Sequence, residues 1–169
     1  LRFADTFPAH PETGAVLTTV AEDLFGQGRF EEAIAVAGDV VAKMPPVGPE
    51  LEETAWRVMA HSRFDLGRYA EAETAYLELR ARTDPADAEA VAEIRKRIAS
   101  SIYKQGEIAR DAGEQEAAVG HFLRVAAVVP AAEIRETAEY DAAAVLIAMQ
   151  AWDRAAGVLE TFRRDYPDS

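Results

Sequence analysis

The sequence predicts an all-helical chain built from repeated pairs of helices. Three observations predict it. Ala, Glu, Arg and Leu, which favour helix, dominate the composition, and runs that alternate with period two are few. Apolar residues recur at helical spacing along most of the chain. Four stretches also repeat one pattern of turn, aromatic, alanine and closing proline.

The stretches are GQGRFEEAIAVAGDVVAKMP from Gly26, DLGRYAEAETAYLELRARTDP from Asp65, DAGEQEAAVGHFLRVAAVVP from Asp111 and MQAWDRAAGVLETFRRDYP from Met149. An aromatic follows the turn in three of them (Phe30, Tyr69, Trp152), and Gln115 replaces it in the third. Each then has an alanine: Ala33, Ala72, Ala118 and Ala155. Four residues later come Ala37, Tyr76, Phe122 and Leu159, and the unit closes on Pro45, Pro85, Pro130 or Pro167. The alanines are 39, 46 and 37 residues apart (33 to 72, 72 to 118, 118 to 155), room for a helix, a tight turn and a second helix.

Each element has a local reason. Gly28, Gly67 and Gly113 stand at the turn, where a positive φ suits glycine. Proline ends the second helix because it cannot donate and keeps its predecessor out of the helical region. The small alanine fits a close helix crossing, near ~8 Å. In the first helices, Leu17, Val20, Ala21 and Leu24 form one stripe, and Trp56, Met59, Ala60 and Phe64 another. Val91, Ile94, Ile98, Ile102 and Ala109 predict one extended helix over 88–111, with Gly106 as a point for a kink, which accounts for the long step. PVGPE at 46–50 and RTDPADA at 82–88 read as loops.

The pattern resembles the tetratricopeptide repeat family, and the second copy shows it best: Trp56, Ala60, Gly67, Tyr69, Ala72, Tyr76, Pro85. The resemblance implies an all-α, right-handed solenoid of antiparallel helix hairpins forming one repeat domain over 1–169. Its units would be 14–47, 53–86, 88–132 with an extended first helix, and 136–169. The steps exceed the family's usual ~34 residues. Glu139 stands where a large apolar residue is expected, with Tyr140 beside it as a substitute, and Arg63 occupies another usually apolar position.

Phe3, Phe7 and Pro8 repeat the phrase of Phe162, Tyr166 and Pro167. Residues 1–11 therefore read as the tail of a preceding repeat, in a piece cut from a longer array. A unit at the open end should expose an apolar face around Leu159 and Phe162, since solenoid units bury their faces only against neighbours.

Charge and missing motifs narrow the function. The formal charge of −12 repels phosphate backbones and anionic headgroups, which argues against nucleic acid and membrane surfaces as partners. No apolar run approaches the ~20 residues of a membrane span. Cysteine is absent, and His10, His61 and His121 lie in different units without metal-ligand spacing. No phosphate loop appears. Glu50, Glu52, Glu53, Glu114 and Glu116 cluster at helix starts, where they suit the macrodipole. The expectation is no catalysis, no cofactor and no metal.

The resemblance implies protein or peptide binding on a concave face lined by first helices. Helical phase places there Thr18, Glu22 and Phe25, then Arg57, His61 and Phe64, then Tyr103, Glu107 and Arg110, and finally Tyr140 and Ala144. Phe25 and Phe64 could equally belong to the core, whereas Tyr103 and Tyr140 can keep a wet polar end. A clamp of Lys and Asn for a C-terminal carboxylate, used by some relatives, is disfavoured because the chain has no Asn. The alternatives are a spacer that self-associates through uncapped ends and a regulatory region for an enzyme domain elsewhere. FRRDYPDS and FADTFPAHPETG are similar to phrases of bacterial envelope repeat proteins, which puts periplasm or envelope ahead of cytoplasm.

Overall fold

The structure is a computed structural model that describes residues 6, 10, 12–43 and 46–167. Among them lie eight helices and no strand: α1 Thr13–Gly26, α2 Phe30–Val41, α3 Pro49–Asp65, α4 Tyr69–Arg82, α5 Ala88–Asp111, α6 Gln115–Val128, α7 Arg135–Ala148 and α8 Trp152–Asp165. The all-helical class and the long helix over 88–111 are as expected. Phe3, Phe7, Pro8 and Pro45 lie outside the described residues. Of the predicted loop at 46–50, Pro49 and Glu50 instead open α3. Proline is at home there, because a first-turn nitrogen has no intrahelical acceptor to lose.

The chain divides into two compact units, Leu1–Ile94 and Arg95–Ser169, and the division falls within α5. In the first unit α1 packs on α2 and α3, α2 on α3, and α3 on α4. Leu17, Ala21, Leu24, Ala33, Val36, Ala37, Val40, Ala55, Val58 and Met59 form a continuous core, with Trp56 at its margin. The repeated alanines Ala33 and Ala72 expose no surface, as a close crossing requires. Carboxylates at helix starts are engaged by arginines: Glu52 with Arg82 at 2.8 Å, Glu53 with Arg57 at 2.6 Å, and Glu31 with Arg68. Such pairs, exposed or half-buried, set geometry more than stability.

In the second unit α7 packs on α6 and α8. Ala118 and Ala155 are buried in their turn. α5 runs unbroken through Gly106, whose missing side chain lets the Phe122 ring approach. A Cβ there would lie 2.6 Å from Phe122 Cδ1, so the small residue serves packing. Across α6 and α8, the Arg154 guanidinium grips Glu116 with two hydrogen bonds, of 2.7 and 2.9 Å. Glu139, not Tyr140, takes the apolar position: Glu139 is 5% exposed and Tyr140 60%. Burial is tolerable because Arg135, one turn earlier, donates to Glu139 at 2.7 Å.

The four tight turns α1–α2, α3–α4, α5–α6 and α7–α8 have the same hydrogen bonds. Arg29 N donates to Leu24 O, Arg68 N to Arg63 O, Glu114 N to Ala109 O and Ala151 N to Leu146 O, at 2.8–2.9 Å. This wrapping demands a left-handed residue just past the helix. Gly28, Gly67 and Gly113 supply it with φ of 73°, 74° and 78°, and the fourth turn uses Gln150 at 60°. A side chain in that region costs roughly 1–2 kcal/mol. Gln150→Gly should therefore stabilise the protein by about 1 kcal/mol, raising Tm by ~2–4 °C. A calorimetric Tm that is unchanged or lower would show that the strain is absorbed elsewhere.

Candidate functional site

First helices carry the side chains predicted to bind, and their neighbours decide which are available. In the first unit, Glu22 on α1 and Arg57 on α3 are exposed. Thr18, expected beside them, is 4% exposed and donates to Gly14 O at 3.0 Å, so it belongs to the core. The hydroxyl bonds back to its own helix, which lets a polar residue be buried there without loss.

His61, Phe64 and Phe25 are half-buried members of an aromatic cluster. His61 Nδ1 is 2.8 Å from the Tyr76 hydroxyl, with the two rings edge to face at 5.4 Å. Phe25 lies 6.0 Å from His61 and 5.7 Å from Phe30. Phe64 lies 5.1 Å from Tyr69 and 6.5 Å from Tyr76. The aromatics that follow the turns thus meet those ending the first helices. Phe25 and Phe64 contribute to the core and leave only part of each ring on the surface.

In the second unit Tyr103 is half-buried, and its hydroxyl donates to Asp141 of α7 at 2.7 Å. Burial, and then the Asp141 acceptor, push the phenol well above its ordinary range. The wet polar end expected of Tyr103 is instead spent on joining α5 to α7. Asp141, which no sequence pattern singled out, also lies 3.7 Å from Arg110. Arg110 is exposed and rests over the Phe122 ring at 5.9 Å. Glu107 is half-buried and pairs with Lys104 at 2.6 Å.

Tyr140 is open to solvent, its ring 6.4 Å from Phe162. Ala144 is exposed one turn later, and Ile147, 43% exposed, follows three residues on. The three share one face of α7 and form an apolar stripe. Sequence reasoning found Tyr140 and Ala144 but passed over Ile147, although its spacing continues theirs.

A groove of ≈ 350 Å³ lies on other faces of this unit, lined by Leu123, Glu139, Leu146, Arg154, Gly157, Val158 and Thr161. Among the described residues no group of three or more His, Asp or Glu side chains could hold a metal ion. No described helix is long and apolar enough to cross a membrane.

Residues 137–169 match the family model described as tetratricopeptide repeat. No curated protein matches the chain. The match and the eight helices together fit a tetratricopeptide-like repeat protein, a kind that is typically a non-catalytic scaffold for protein–protein interaction.

Proposed function

We propose that this tetratricopeptide-like repeat chain is a scaffold that binds a peptide or protein segment along the exposed flank of its first helices. The reading takes the array as a right-handed solenoid of antiparallel hairpins, its units 14–47, 53–86, 88–132 and 136–169. The observation that carries it is the open stripe of Tyr140, Ala144 and Ile147 on α7. Apolar side chains grouped on one exposed face mark interaction sites more often than scattered ones do. Exposed Arg110 on α5, in the same unit, adds charge, and an apolar stripe with charge nearby suits an amphipathic helix or extended segment.

A photo-reactive residue in place of Ala144 is expected to cross-link a protein partner in extract of the source cells, and one in place of Glu160 on α8 is not. Ala144→Arg should lower recovery of that partner at least tenfold while leaving the circular dichroism unchanged. Equal cross-linking from both positions would reject the α7 flank as the site.

A further inference from the structure

We infer that the groove between α6 and α8 binds a small aliphatic amine, its ammonium held at Glu139 and its hydrocarbon chain against Leu123, Leu146 and Val158. The groove measures ≈ 350 Å³. At ~30 Å³ for each non-hydrogen atom, the share of one water in the liquid, it has room for roughly ten. One wall is Leu123 of α6, and the other is the face of α8 that carries Arg154, Gly157, Val158 and Thr161. Buried Leu146 and Glu139 of α7 form the floor. From that same α8 face Arg154 reaches Glu116 of α6, so the site lies between helices of this unit.

Glu139 points to the ligand. It is 5% exposed, yet its Oε2 is buried with no hydrogen-bond partner. Arg135 donates to Oε1 at 2.7 Å and is divided between Glu139 and Asp165, so Glu139 does not have its cation to itself. A buried carboxylate oxygen without a donor is costly, and an ammonium is the strongest donor a small aliphatic ligand can bring. The terminal torsion of a glutamate is soft, so the carboxylate can turn Oε2 toward a group entering from the groove. Arg154 does not fill that role, because two hydrogen bonds of 2.7 and 2.9 Å commit it to Glu116. Gly157 leaves its wall bare without need: outside its own helix backbone, nothing lies within 4 Å of where a Cβ would stand.

Hexylamine is the probe, followed by methyl and amide NMR of the native chain at neutral pH. Saturable shifts centred on Leu123, Leu146 and Val158 are expected, with 1-hexanol and hexanoate binding at least tenfold more weakly. Glu139→Gln should lower hexylamine affinity at least tenfold. Gly157→Leu fills the groove without a clash and replaces a helix-interior glycine, so it should fold at least as well and bind at least tenfold more weakly. No shifts, equal binding of hexanol, or an affinity unchanged by Glu139→Gln would overturn the inference. So would shifts that persist in Gly157→Leu, since the amine would then sit elsewhere on an acidic surface. Tighter binding of Nα-acetyl-lysine methylamide than of hexylamine would assign the groove to a lysine of a protein partner, and would overturn the small-molecule reading too. The site does not use Tyr140, Ala144 or Ile147, so none of these results depends on whether Ala144 cross-links a partner.

Discussion

Arg135→Ala is expected to destabilise the second unit by about 3 kcal/mol, far more than loss of an ordinary surface ion pair. Arg135 sits at the start of α7 and holds three groups at once. Its Nε donates to Glu139 Oε1 at 2.7 Å, an Nη donates to Asp165 of α8, and the guanidinium lies 5.6 Å from the centre of the Tyr166 ring. The hydrogen bond from Arg135 keeps the Asp165 carboxyl below its ordinary range. Glu139 is the costly member, because its other oxygen is buried and has no hydrogen-bond partner. Without the arginine a buried carboxylate would be left with no compensating charge.

A second substitution makes the explanation testable. The positions matching Glu139 hold Leu17, Trp56 and Ile102, so the site accepts an apolar residue elsewhere in the repeat. Glu139→Leu added to Arg135→Ala should recover most of the lost stability, since replacing a buried ion pair by apolar packing is often neutral or favourable. Urea unfolding of the two variants beside the native chain would decide. A loss of under ~0.5 kcal/mol for Arg135→Ala would place the pair among ordinary surface pairs.

Phe122→Ala should cost about 3–5 kcal/mol, the range for emptying a fully buried phenylalanine site. Phe122 has no exposed surface and touches what holds α5 to α6: the Tyr103 ring at 5.3 Å, Arg110 above its face, and the bare backbone of Gly106. Gly106→Ala should cost ~1–3 kcal/mol although alanine is the better helix former, because its methyl group would overlap the ring. The two effects are not additive. With Phe122 already truncated, the added methyl enters the space left by the ring, and Gly106→Ala becomes neutral or favourable by up to ~1 kcal/mol. A double-mutant cycle measured by calorimetry would show it. Additive losses would mean that Gly106 is small for some reason other than Phe122.

Much of this was legible in the chain. The buried alanines, the three left-handed glycines and the uninterrupted helix over 88–111 follow from a pattern whose parts interact with near neighbours in sequence. Gln150 departed from that pattern, yet the local hydrogen bonds still impose a positive φ on it. The candidate surface was only partly legible. Helical phase named the flank and found Glu22, Arg57 and Tyr140, but it cannot tell an open polar side chain from one already engaged. Thr18 was lost to a carbonyl in its own helix, Tyr103 to Asp141, and His61 to Tyr76.

By itself the sequence determined the helices, their turns and the small residues at their crossings, because those depend on backbone preference and on contacts within a turn or two. Tertiary structure alone decided that Glu139 goes inside while Tyr140 stays out, and which aromatics keep a free edge. Those outcomes depend on partners such as Asp141 and Asp165, brought close by packing between helices, and no spacing along one helix encodes them.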